Sequence, residues 1–366
     1  MSDACLGGTF TDLAGRDVPP RHERAAKPLQ LRRIPLEAAS IGVVTTTTRP
    51  HIVSIDEIRE AAERIRGVAT RTPLLRWDDS TWLKPESLQP VGAFKMRGAY
   101  NKVASLSDAE RARGVVTYSS GNHAQAVARA ARLLGAHAVI CMPRDAPRVK
   151  IEGVERDGAE IAFTGNDSEE RHQLALRLVE DRGLVMVEPY DDPAIIAGQG
   201  TCGLEIVEDL PDVTSVLVPV SGGGLSAGVA TAVKALAPSA RVIGVEPELA
   251  ADAKESLESG SLVTWTAEQT GRTMADGLRT NSLGPLPFEH LRRFMDEIVT
   301  VSEDEMADAM RQLARRARLV IEPSGAAAMG AHLAGSVPRI GGDERRVVIL
   351  SGGNVDPELF LRILEA

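Results

Sequence analysis

The chain reads as an α/β protein with mostly parallel sheets, and three observations predict this. Short runs rich in β-branched residues alternate with helical stretches, Gly- and Ser-rich turns mark several of the junctions, and no repeat of 20 to 50 residues is present. In chain order, residues 1–50 mix Pro19, Pro20, scattered arginines and a VTTTT tract without a sustained period, so they are expected to form a mobile N-terminal extension. The pattern sharpens at Ser54. With Glu57 three positions on, Ser54 has the signature of a capping box, and Ile55, Ile58, Ala62 and Ile65 follow at helical spacing.

Beyond that helix, GVVTYSS precedes GNHAQAVARAARLLG, HAVICMP precedes APRVKIEGVERDG, and EIAFTG precedes a helix at 168–183. SVLVPV then precedes a helix at 225–236, and RVIGVEP and RRVVILSGG supply two more strands. Strands that alternate with helices build βαβ units with right-handed crossovers, and ligands gather beyond the carboxyl ends of such strands.

Length and composition narrow the function classes. At about 150 residues per domain, 366 residues imply two domains. The 42 basic and 51 acidic residues leave a charge of -9 without a basic block, which argues against a nucleic-acid partner. No apolar run approaches the roughly 18 residues of a membrane span, so no membrane partner is expected. Cys5, Cys141 and Cys202 lie too far apart for a CxxC site and are odd in number. With no secretory pattern in the first fifty residues, a reducing, cytoplasmic setting is expected.

Four loops carry chemistry. Ser221, Gly222, Gly223, Gly224 and Leu225 join SVLVPV to a helix, and consecutive glycines there let backbone N–H groups and a helix N-terminus converge on a phosphate. The spacing fits neither GxGxxG nor GxxxxGK[ST], which disfavours dinucleotides and nucleoside triphosphates. In GAFKMRG, Lys95 stands between Phe94 and an arginine two positions on; a lysine of lowered pKa can form a Schiff base, although most lysines are solvated charges. Ser119, Ser120, Gly121, Asn122 and His123 open a helix whose N-terminus can receive a carboxylate. Ser351 leads SGGN after the last strand. Each could be only a cap or turn; four at strand ends make a converging site the better reading.

Taken in order, ESLQPVGAFKMRGAYN, SSGNHAQA, IIAGQGTCGLEI, VPVSGGGLSAG, TMADGLRT, IEPSGA and LSGGN resemble the fold-type II, pyridoxal-phosphate-dependent family of serine/threonine dehydratases and serine racemases over residues 52–365. The resemblance implies a tryptophan synthase beta-like architecture of two three-layer αβα domains, a large one from 51–113 and 192–366 and a small one at 114–191 that closes over substrate. It also implies a homodimer with pyridoxal 5'-phosphate as cofactor and a small amino acid as substrate. Position by position, it makes Lys95 the cofactor lysine and the base at Cα, with Phe94 against the ring and Ser221 to Leu225 as phosphate cup. Asn122 is implied to meet the phenolic oxygen, Gly277 to lie against the ring and Ser351 to face the ring nitrogen, while Ser119, Asn122 and His123 hold the substrate carboxylate. Ser221 stands where the family usually has a glycine; its hydroxyl could add a phosphate contact, but its backbone cannot visit positive φ cheaply.

A neutral serine at the ring nitrogen makes a weaker electron sink, which suits elimination of a β-hydroxyl: L-threonine or L-serine to a 2-oxo acid and ammonia. Ser120 leaves serine racemase and 3-hydroxyaspartate dehydratase open as alternatives, because it could serve as a second acid/base opposite Lys95 or simply cap the helix. A non-catalytic cofactor- or amino-acid-binding protein is the third possibility. Glu246, Ala250 and Asp252 resemble the family's divalent-cation site, which suits Mg²⁺ or Ca²⁺.

Overall fold

The computed structural model describes residues 51–365, apart from residues 120, 145, 147, 166, 167 and 340. The expected extension at 1–50 and the second-base candidate Ser120 lie outside the described residues. Among the described residues, ten strands form two sheets. Within the first, β1 (Leu75–Arg76), β2 (Thr81–Pro85), β7 (Ser215–Pro219), β8 (Arg241–Pro247), β9 (Glu297–Val301) and β10 (Arg346–Leu350) stand in the order β1-β2-β10-β7-β8-β9. Within the second, β3 (Val115–Tyr118), β4 (Ala138–Pro143), β5 (Glu160–Thr164) and β6 (Val185–Met186) stand in the order β5-β4-β3-β6. Only the β1–β2 pair is antiparallel. Parallel strands need crossovers on both faces, so their residues are covered twice: every residue of β4, β7 and β10 is buried.

The local signals act where they were expected. Ser54 Oγ accepts from Glu57 N while the Glu57 carboxylate accepts from Ser54 N at 2.8 Å, closing the capping box of the helix Ile55–Ile65. That helix buries Ile58, Ala61 and Ile65, so the covered stripe runs through Ala61 rather than Ala62. It lies on the helix Pro193–Asp209, where a Cβ on Gly200 would come within 2.7 Å of Ile58. Small residues let that second helix pack deeply: a Cβ on Gly198 would sit 2.6 Å from Gly98 of the helix Lys95–Ser105. The result is a buried platform on which the first turn of the Lys95 helix rests. Among the described residues, no helix is long and apolar enough to cross a membrane.

Candidate active site

Three of the four loops leave the carboxyl ends of strands: residues 119, 121 and 122 after β3, 220–224 after β7 and 351–354 after β10. β7 and β10 are parallel neighbours in the first sheet, so their loops leave the same edge of it, and the loop after β3 of the second sheet is joined to them by the Asn122–Asn354 hydrogen bond. The Lys95 loop is tied in by an isolated bridge between Ala93 and Gly352 and by Phe94 N donating to Ser351 O at 3.0 Å.

Lys95 is the first residue of its helix. Its ammonium donates to the carbonyl of Pro189 at 2.7 Å and stands 5.2 Å from the centre of the Phe94 ring. Burial pushes the amine down to about 8, which makes the nucleophilic neutral form accessible near neutral pH. Next along the chain, the Tyr190 ring lies against Gly222, where any Cβ would collide with it. Gly223 has φ +91°, a left-handed conformation that a side chain would strain, and it caps the helix Gly224–Leu236 without a side-chain acceptor. Among the described residues, the N–H groups of Gly222, Gly223 and Gly224 have no acceptor. Three uncommitted donors at a helix N-terminus form an anion cradle.

Ser221 avoids the expected strain, since Arg318 is the only positive-φ residue other than glycine among the described residues. Its hydroxyl is 2.6 Å from that of Thr280 and accepts from Thr280 N at 3.3 Å, so it braces the cup wall instead of standing free for a phosphate. Leu225 is buried at the start of the same helix.

Asn122 begins the helix Asn122–Leu133. Its Nδ2 donates to Glu322 Oε1 at 2.6 Å, and its Oδ1 accepts from Asn354 Nδ2 at 2.8 Å. Glu322 N donates to Gly352 O, which ties this pair to the Ser351 loop. Ser351 is buried, with only a 3.5 Å contact from its hydroxyl to Ser324 O. Ser324 Oγ in turn accepts from Gly277 N at 2.8 Å. A continuous set of contacts therefore joins Lys95, Phe94, Asn122, Gly277 and Ser351, while Tyr190 extends it to the glycine cup.

Ser119 Oγ accepts from Gly121 N at 3.3 Å. Asn122, His123 and Ala124 form the first turn of the Asn122 helix, whose N-terminus can receive an anion. His123 enters it through its backbone. Its ring is buried with Nε2 on Val187 O at 3.1 Å, and burial together with the Lys95 charge holds it at about 3, so the ring is neutral. The side chain is thus not a cation that could pair with a carboxylate.

Sequence reading missed two parts of this centre. Arg97, two residues after Lys95 and wholly buried, grips both oxygens of Glu86 at 2.7 and 2.8 Å and both of Glu205 at the same two distances. Buried Lys84 joins Glu205 at 2.6 Å and so balances two carboxylates with two cations. Lys150, on the helix Arg148–Arg156, pairs with Asp276 beside Gly277, and its ammonium is the atom that a Cβ on Gly121 would meet. Long-range ion pairing leaves no periodic signature, so neither group was legible.

Glu246, Ala250 and Asp252 belong to none of these contacts. Glu246 accepts from Ala253 N and Lys254 N at 3.2 and 2.8 Å, while buried Asp252 Oδ2 has no partner among the described residues. Burial, with Asp252 nearby, raises the Glu246 carboxyl well above its usual range; burial lifts Asp252 to about 7. The orphaned Asp252 oxygen and the buried Glu246 carboxyl are hard-oxygen donors that a divalent cation would satisfy.

Comparison with known proteins agrees with this arrangement. The family description "Pyridoxal-phosphate dependent enzyme" matches residues 65–352. Over 321 residues the chain is 42% identical to the L-threonine ammonia-lyase of Thermotoga maritima, covering 86% of this chain and 78% of that one. It is 38% identical to the L-threo-3-hydroxyaspartate ammonia-lyase of Saccharomyces cerevisiae, covering 84% and 95%. Maize serine racemase superposes with a TM-score of 0.80 at 37% identity, covering 86% and 98%. A buried amine of lowered pKa, joined through Pro189 and Tyr190 to a cup of N–H groups that suits a phosphate, fits pyridoxal phosphate, and the matched span takes in Arg97's partner Glu86, Lys95, Asn122, the glycine cup and Ser351: the chain belongs to the pyridoxal-phosphate-dependent enzymes, with the fold-type II architecture of its neighbours.

Proposed function

We propose that the chain is a threonine/serine ammonia-lyase that eliminates the β-hydroxyl of L-threonine or L-serine to give a 2-oxo acid and ammonia. The observation that carries this reading is the buried Lys95 amine, held at about 8 in a loop bonded to the Ser351 loop and joined through Pro189 and Tyr190 to the glycine cup. That cup, at Gly222 to Gly224, suits the cofactor phosphate; the helix N-terminus at Asn122 to Ala124 suits the substrate carboxylate. When bound, the cofactor supplies the ring that takes up the electron pair left on Cα.

The residues divide the remaining work. Lys95 Nζ would hold the cofactor and, as the free amine, would take the proton from Cα. Ser119 and the N-terminus of the Asn122 helix orient the carboxylate so that the Cα–H bond faces that amine. Ser351 would offer the ring nitrogen a neutral hydroxyl, and Phe94, whose ring centre is 5.2 Å from the amine, would pack beside the cofactor ring. Glu246, Asp252 and the Ala250 carbonyl would hold Mg²⁺ or Ca²⁺, where the ion would neutralise two buried acids. The small-sheet segment is proposed to close over substrate, and the protein to work as a homodimer; the resemblance to the family supports both.

The test supplies the protein with cofactor and Mg²⁺, then L-threonine and L-serine separately, and follows 2-oxo acid together with the chirality of remaining serine. Rapid release of 2-oxo acid with little D-serine, abolished in Lys95→Ala, is the expected result. D-serine outpacing pyruvate would replace the lyase with a racemase. Turnover of 3-hydroxyaspartate alone would move the substrate.

A further inference from the structure

Glu322 was assigned no role from the sequence, yet it is a buried acid that touches the site. It opens the helix Pro323–Ala334 as its N-cap, but its side chain does not cap that helix. The carboxylate instead accepts from Asn122 Nδ2 at 2.6 Å, and a Cβ on Gly352 would collide with its Oε1, so the group is packed between the Asn122 helix and the loop after β10. On the other side of Asn122, the Asn354 amide spends its two N–H groups on the Val91 carbonyl and on Asn122 Oδ1, both at 2.8 Å.

These bonds determine which way Asn122 faces. A flipped Asn122 amide would set oxygen against the Glu322 carboxylate and NH₂ against the Asn354 NH₂, two repulsive contacts in place of two hydrogen bonds. With the amide held this way, one N–H goes to Glu322 and one remains. We infer that Glu322 is a positioning residue, which with Asn354 fixes the Asn122 carboxamide so that its second N–H is presented to the ring oxygen of the cofactor.

The inference rests on the cofactor reading above and adds a link between Glu322 and the cofactor's electronic state. Glu322 faces Asp276 beside Gly277, Lys150 of the helix Arg148–Arg156, and Asn122. Burial and Asp276 raise its carboxyl to about 7, against the opposing pull of Asn122 and Lys150. Below that pH it carries a proton, and Asn122 loses the charged acceptor that polarises its amide.

The experiment uses the full chain stripped of cofactor and titrated with pyridoxal 5'-phosphate, reading the dissociation constant and the visible absorbance maximum of the bound cofactor from pH 6 to 8.5. Parent protein that binds no cofactor would overturn the cofactor reading itself. Given parent binding, Glu322→Leu is expected to raise the dissociation constant about tenfold and to shift the absorbance maximum. In an Asn122→Ala background the same change should alter affinity less than about twofold, because the two residues act as one unit. Glu322→Gln keeps an acceptor for Asn122, so it should hold affinity near the parent's yet lose the pH-dependent shift near 7. Unchanged affinity and spectrum in Glu322→Leu, or full additivity with Asn122→Ala, would overturn the inference. Should Glu322→Leu lack a cooperative melting transition, Glu322→Gln decides, and retention of the pH-dependent shift would overturn it.

Discussion

On the proposed reading, Lys95 concentrates the chemistry of this protein in one nitrogen. Desolvation costs an ammonium more than a neutral amine, so burial lowers Lys95 to about 8 without a cationic neighbour being needed. The sign follows directly: below pH 8 the amine is mostly protonated and cannot attack an aldehyde, and above it the neutral form dominates. The rate at which cofactor-free protein captures pyridoxal phosphate should therefore rise about tenfold per pH unit on the acid side and level off above pH 8, read by stopped-flow absorbance. A rate that keeps rising past pH 10 without levelling off near 8 would mean that the amine is not desolvated. Lysine, glycines and helix-opening asparagine were all legible as residue types in context. The partners that decide their behaviour were not, because Glu322 lies 200 residues from Asn122 and Asn354 lies 232 from it.

Helices set these residues in place, and what anchors them is largely electrostatic. Arg97 lies on the first turn of the Lys95 helix, locked to Glu86 and Glu205. Burial alone would raise Glu86, but Arg97 overrides it and holds the carboxyl below the usual range. Arg97→Met should leave two buried carboxylates short of a cation and cost about 3–5 kcal/mol in urea unfolding. A loss below about 1 kcal/mol would show that the network is dispensable. The Lys150–Asp276 pair belongs to the same scale: it joins the helix Arg148–Arg156 to the turn that bears Gly277, beside the N-terminus of the Asn122 helix. Lys150→Met should raise KM for L-threonine several-fold with a smaller effect on kcat, since a partly buried cation near the substrate acts on binding more than on proton transfer. Steady-state kinetics separates the two.

At the scale of the molecule, alternation of strands and helices made the α/β class readable, and the strands expected at 114–120, 137–143, 160–165, 215–220, 241–247 and 345–353 each contain an observed one. The two-residue strands β1 and β6, edge strand β9 and the helices Pro193–Asp209 and Pro323–Ala334 were not picked out. The strands are too short or too mixed to show a period, and the helices are buried almost all round, so no polar face marks their repeat. Strand order was equally hidden: β10, last in sequence, lies between β2 and β7 and brings Ser351 to the centre of the sheet.

That topology exists, on this account, to bring four loops onto one cofactor held by Lys95. Borohydride reduction of the cofactor-loaded protein, followed by peptide mass mapping, tests this most directly, because reduction fixes the linkage as a stable secondary amine. The account predicts the cofactor on the Lys95 peptide alone and its loss in Lys95→Ala. The modification on another lysine, or none on a protein that still turns over L-threonine, would contradict it.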